Sequence, residues 1–228
     1  MDLQRKKVCV DLSVIALTTA LFYAVLGIFY MLLRVDVTSM PVLAQTFLGA
    51  LFEYGVMGFG ITIVCVRNKE SFISFGLKGE KLLLTVFLSV LACLPDFIYL
   101  LLSKKEVTYF PFQGVNFTES VLGSAFPENI IGMLVIMITW GFFEGFSYVI
   151  MSDRLNKLFP PKGVFRNPGA VICGIFCLLL HILVGQTYTV GGAAATFLLI
   201  YGMLAAYRYT GNAWGCVFIY CFYWNAFA

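Results

Sequence analysis

Seven uninterrupted apolar runs, at roughly residues 12–33, 42–66, 82–102, 129–151, 169–187, 191–207 and 212–228, constrain this chain more than any other feature. A helix needs about 20 mostly apolar residues to cross the hydrocarbon of a bilayer. All seven runs reach or approach that length, although the last covers only about 25 Å at the helical rise. The runs are continuously apolar rather than alternating, which argues against barrel strands, and a helix satisfies its own backbone in lipid. The expected fold is all-α: a polytopic transmembrane helical bundle of about seven helices, a single integral membrane domain over residues 1–228 with no room for a separate soluble one. Composition agrees, with 61% hydrophobic and only 12% charged residues. A soluble domain carries about twice that charge and would aggregate through apolar patches of this extent.

The Lys and Arg positions orient the bundle. With the N-terminus inside, the inner side holds Arg5, Lys6, Lys7, Arg67, Lys69, Lys78, Lys81, Arg154, Lys157, Lys162, Arg166 and Arg208, and the outer side only Arg34, Lys104 and Lys105. Twelve against three is a strong positive-inside bias. It predicts a cytoplasmic N-terminus and an exterior C-terminus, and an extra or missing middle helix would scramble it. The basic start followed by an apolar run resembles a signal peptide, but no small-x-small cleavage site follows, so a retained first helix is expected. The inner loop 67–81 carries Phe72, Ile73, Phe75 and Leu77 among its charges and reads as an amphipathic segment along the headgroups. The aromatic outer loop 103–126 is placed to fold over the bundle mouth. No basic tract interleaves with exposed aromatics, which gives no nucleic-acid reading. The seven cysteines include no CxxC pair and sit mostly in apolar runs, as small buried hydrophobes do.

Ionisable groups inside a membrane are costly and mark functional sites by default. Here they are Glu53, Asp96, Glu144 and His181, joined by the polar Asn225. Counting from the inner ends of the expected spans, Glu144 lies roughly 11 Å deep, His181 about 18 Å, Cys221 about 14 Å and Asn225 about 20 Å. That places them in the middle and inner half of the bilayer, around a pocket facing the cytoplasm. Such a set supports metal-independent hydrolysis: a desolvated Glu as base, a neutral His holding water, an Asn amide on the oxyanion. One His with carboxylates far apart in sequence makes a poor zinc site, and no cofactor is implied. Structural roles stand beside these. Glu144 adjoins the packing motif Gly141-x3-Gly145, and His181 can bond across helices. Asn225 can cap its helix, and Asp96 follows Pro95, where helices kink.

The motifs Phe142-Phe-Glu144-Gly-Phe-Ser-Tyr-Val149, Cys177-Leu-Leu-Leu-His181 and Cys221-Phe-Tyr-Trp-Asn225 resemble, in spacing and order, those of the CPBP group of intramembrane proteins. That family includes CAAX prenyl endopeptidases and bacteriocin-processing or immunity proteins. The resemblance is specific over about residues 129–228. It implies that Glu144 is the base, His181 the water-positioning residue and Asn225 an oxyanion donor, with Cys177 and Cys221 on the pocket wall. Glu53 and Asp96 are candidate pocket acids. The chain departs from the family where Gly145 replaces a second Glu, Val149 an Arg, Cys177 a Phe and Cys221 a His.

Two functions follow. One is a glutamate-dependent endopeptidase acting on a peptide or lipidated tail admitted from the cytoplasmic leaflet. The other is a catalytically silent relative, a scaffold, immunity factor or subunit of a membrane complex. A small transporter using Glu53 and Asp96 is a third. Membrane lipid and a peptide substrate or membrane protein partner are the expected partners.

Overall fold

The computed structural model of the chain describes residues 3–29, 37–103, 107–183 and 185–227. Arg34, Lys104 and Lys105, the outer cations of the orientation argument, lie outside the described residues, as do the last residues expected in the first span. Among the described residues the fold is all-α, and the one β-type contact is an isolated bridge between Tyr109 and Phe227.

A helix occupies each apolar run. In chain order they are α1 (Leu3–Gly27), α2 (Val42–Asn68) and α3 (Leu82–Ser103), then a short α4 (Thr118–Leu122) in the aromatic loop, α5 (Glu128–Leu158), α6 (Pro168–Leu183), α7 (Val190–Thr210) and α8 (Trp214–Trp224). Of these, α1, α2, α3, α5 and α7 are long and apolar enough to cross a membrane, whereas α6 and α8 are shorter apolar helices. The helix α3 is interrupted at Cys93, two residues before Pro95, where a proline removes a helical hydrogen bond and crowds the preceding turn. At the other end of α7, Gly211 takes a left-handed φ of 66° and stops the helix.

The central element is α5. Every residue from Glu144 to Ser152 is buried, because α1, α2, α6 and α8 all pack around this half. Gly141 and Gly145 face α8: a Cβ on Gly141 would stand 2.5 Å from Cys221 Sγ, and one on Gly145 would stand 2.9 Å from the Cys216 carbonyl. The Gly-x3-Gly spacing thus corresponds to a close α5–α8 approach.

The two ends of the bundle differ in chemistry. At the basic end, Asp11 of α1 accepts hydrogen bonds from Arg67 (2.5 Å) and Asn68 (2.8 Å) at the end of α2. Arg154, near the end of α5, reaches the same carboxylate (3.2 Å) and pairs with Glu70. Arg154 is only 2% exposed, not the loop cation its place in the sequence suggested, since α5 continues about two turns past the expected end. The segment after α2 does not lie flat either. A single 3-10 turn, Phe72–Phe75, sends Phe72 and Phe75 onto Phe146 of α5 and leaves Ile73 outward.

At the opposite, aromatic end the 107–117 segment folds back onto the chain's last residues. Phe110 N donates to Ala226 O (2.8 Å) and Gly114 N to Asn225 O (2.9 Å). Phe112 is buried there, and Phe117 stacks edge-on against Trp140 of α5.

Candidate functional site

A cavity of about 310 Å³ opens between α1, α2, α5 and α6 and is closed by the residues that end α8. Glu53 from α2, Glu144 and Tyr148 from α5, His181 from α6, Gln186 and Asn225 give it its polar lining, with Tyr23, Trp140 and Trp224 around them. Carboxyls from two helices far apart in sequence therefore face one cavity.

Irregular helical turns aim three of these side chains. Glu53 immediately precedes a π-helical turn (Tyr54–Phe59), Glu144 immediately follows one (Met137–Phe143), and Asn225 immediately follows a third (Tyr220–Trp224). A π turn inserts an extra residue per turn and so rotates the face a helix presents, which is why such turns concentrate at functional sites. The amide of Asn225 and the indole of Trp224 lie within hydrogen-bonding reach of the Glu144 carboxyl.

His181 is held from behind. Its Nδ1 lies 2.8 Å from the Cys177 carbonyl oxygen. A carbonyl only accepts, so in the neutral ring Nδ1 carries the proton and Nε2 the lone pair. Trp224 (5.5 Å) and Tyr188 (6.4 Å) meet the ring edge-on and fix its plane.

Other expected site residues fall elsewhere. Cys177 is fully buried and is not part of the cavity lining; it stands behind His181 and Tyr148. Cys221 is likewise outside the lining, because its thiol fills the α5–α8 contact opposite Gly141. Asp96 lines a neighbouring cavity of about 440 Å³, where it accepts a 2.9 Å hydrogen bond from Tyr223. His181, Gln186, Trp224 and Asn225 line both cavities and form the partition between them.

The depth assignment changes as well. The helix α6 ends at Leu183 and α8 at Trp224, so His181 and Asn225 sit at the aromatic end rather than in the half next to the basic loops. Leu26, Gly49 and Gln186 in the lining belong to the same end. Glu144, roughly 20 Å from either end of α5 at the helical rise, is deeper.

No family model, curated protein or solved structure matches this chain. Among the described residues no group of three or more His, Cys, Asp or Glu side chains is arranged to hold a metal ion. Two carboxyls in one cavity can divide the labour of base and acid, an imidazole Nε2 can accept from a water, and amides at its edge can donate to a developing oxyanion. Tyr23, Tyr148, Trp140, Trp224 and Gln186 were not anticipated. For Tyr148 a signal existed: it stands four residues after Glu144, on the same helical face.

Proposed function

We propose that the chain is a membrane protein of seven spans, related to the CPBP group, whose cavity hydrolyses a peptide bond with Glu144 as base. The observation that carries this reading is the meeting of Glu53, Glu144, His181 and Asn225 around one cavity inside apolar helices. Its volume is at the low end of the roughly 300–1,000 Å³ typical of small-molecule sites, which suits a short extended segment rather than a folded partner. Glu144 takes a proton from a water held by His181 Nε2, and the hydroxide oxygen bonds to the scissile carbonyl carbon. Asn225 donates to the resulting oxyanion. On collapse the C–N bond breaks, and Glu53 gives its proton to the leaving amine. Proton exchange between the two carboxyls then restores the starting state.

The Lys and Arg bias puts the basic end in the cytoplasm. The cavity lies toward the other end, so the peptide enters from the exterior side rather than from the cytoplasmic leaflet.

A silent relative is the second reading. It is favoured by Cys221, where the family has an imidazole, being sealed against Gly141, and by Asn225 being engaged with Glu144 itself. The two readings separate when wild-type protein and Glu144→Gln are purified from native membranes and co-purifying peptides are mapped by their new termini. Termini present only with wild type support hydrolysis. A partner retained by both proteins, with identical termini, supports the silent relative.

A further inference from the structure

The cavity on the other side of the partition has a chemistry that hydrolysis does not use. It holds about 440 Å³ and includes residues 187–189, which connect α6 to α7. Its acid is the half-buried Asp96 of α3, seven residues before that helix ends at Ser103 (103 − 96), or about 10 Å at the helical rise. The rings of Tyr99, Tyr188, Tyr223, Trp224 and Phe227 line the same space. An acid within an apolar helix is costly and marks a functional position by default.

Local sequence builds these walls. Gly191 and Gly192 let the Tyr99 ring close on the first turn of α7, where their Cβ atoms would stand 3.0 and 3.2 Å from it. Tyr99 Oη lies 2.6 Å from Thr189 Oγ1, which in turn accepts from Gly192 N (3.1 Å). The start of α7 is thereby capped by its own chain. From α8, Tyr223 donates to Asp96 Oδ2 (2.9 Å), and its ring meets that of Phe227 at 64° with centroids 5.1 Å apart. Rings so inclined make a corner rather than a stack.

A carboxylate has about four acceptor positions, so Asp96 can take a further donor besides the Tyr223 hydroxyl. Aromatic rings attract cations through their faces, more strongly where water is displaced. Tyrosine and threonine hydroxyls add neutral acceptors. A primary ammonium, with one charge and three donors, matches acid, rings and hydroxyls together. A quaternary ammonium would leave the hydroxyls unused, and an anion would face the acid. We infer that this cavity binds the ammonium group of an alkyl amine, its apolar stem among the rings. Because His181, Gln186, Trp224 and Asn225 line both cavities, the amine is a lysine beside the scissile bond on the hydrolytic reading proposed above. Only that placement rests on the reading; binding of the ammonium does not.

Calorimetric titration of the full chain in detergent with acetyl-Ala-Lys-Ala-amide, its Nε-acetylated form, acetyl-Ala-Glu-Ala-amide and n-butylamine tests it. The lysine peptide should bind roughly tenfold or more tighter than its acetylated form, since acetylation removes one partner of a charge pair. Asp96→Asn should erase that preference. Tyr188→Leu, between α6 and α7, should reduce it about two- to fivefold while Tyr188→Phe retains it, as expected of a cation–π contact. That second pair decides the matter if Asp96→Asn does not fold. With the preference intact, displacement of the lysine peptide by equimolar butylamine identifies a free amine as the ligand, and its persistence identifies the peptide; either result supports the ammonium site. Equal affinity for the lysine and acetyl-lysine peptides, or tighter binding of the glutamate peptide, would overturn it. Mass spectrometry of the same mixtures keeps the two proposals apart. A lysine peptide that binds with the stated preference and stays intact counts against hydrolysis alone, and cleavage of lysine and acetyl-lysine peptides at equal affinity and rate counts against the ammonium site alone.

Discussion

Arg154 keeps almost none of its surface in contact with solvent, and a guanidinium so enclosed persists only among compensating charges. It faces Asp11, Glu70 and Asp153, and its plane also lies 5.4 Å over the Phe75 ring. Breaking a buried pair outright costs roughly 3–5 kcal/mol. Asp11→Asn should cost less, about 2–3 kcal/mol, because Glu70 and Asp153 still face the cation. Thermal unfolding in detergent should show the drop, whereas Lys157→Ala, which removes a surface i,i+4 pair with Asp153, should shift stability by no more than about 0.5 kcal/mol. This node was not legible in the sequence. Asp11 stands just before the expected first span, and Arg154 reads as a loop cation, so each was judged by its chain neighbours rather than by what packs across from it. Glu53, Glu144 and His181 stand out for the opposite reason, since a charged or titratable group contrasts with an apolar run. Tyr23 and Tyr148 offer no such contrast among 12 tyrosines and 23 phenylalanines.

Helices were legible as elements, because an apolar run of 17–25 residues has few other structures available in lipid. Their irregularities were not. A π turn has no composition signal of its own, yet three of them border Glu53, Glu144 and Asn225; the depth of His181 and Asn225 differs from expectation because α6 and α8 end at Leu183 and Trp224, short of the apolar runs they occupy. The close α5–α8 contact was readable through Gly141-x3-Gly145, and it also explains why Cys221 is small. Gly141→Ala should cost about 1–3 kcal/mol by overpacking against that thiol, whereas Leu134→Ala, at an exposed position, should stay within about 0.5 kcal/mol. Adding Cys221→Gly to Gly141→Ala should recover stability, a coupling expected only of side chains in contact. Additive losses in that double-mutant cycle would mean the two helices do not meet at this point.

At the scale of the whole molecule, the bundle has one end rich in Lys and Arg and another closed by aromatic side chains. In the proposed orientation, a Cys introduced at the exposed Ser120 should react with a membrane-impermeant maleimide in intact cells. One at the exposed Lys162 should react only after permeabilisation. The reverse pattern would invert the bundle and put the cavity toward the cytoplasm. Sequence order alone did not bring α2 to α5, since Glu53 and Glu144 lie 91 residues apart (144 − 53); packing of the complete bundle does. That meeting is tested most directly by a hydrophobic carbodiimide, which modifies carboxyls in apolar surroundings, applied to the reconstituted protein and read by intact-mass and peptide mass spectrometry. The expected result is one adduct per molecule, on Glu53 or Glu144 but never on both, because a first adduct fills a cavity of about 310 Å³, with Glu144→Gln directing the label to Glu53. Molecules carrying adducts on both glutamates at once would contradict the shared cavity and, with it, the proposed division of labour between the two carboxyls.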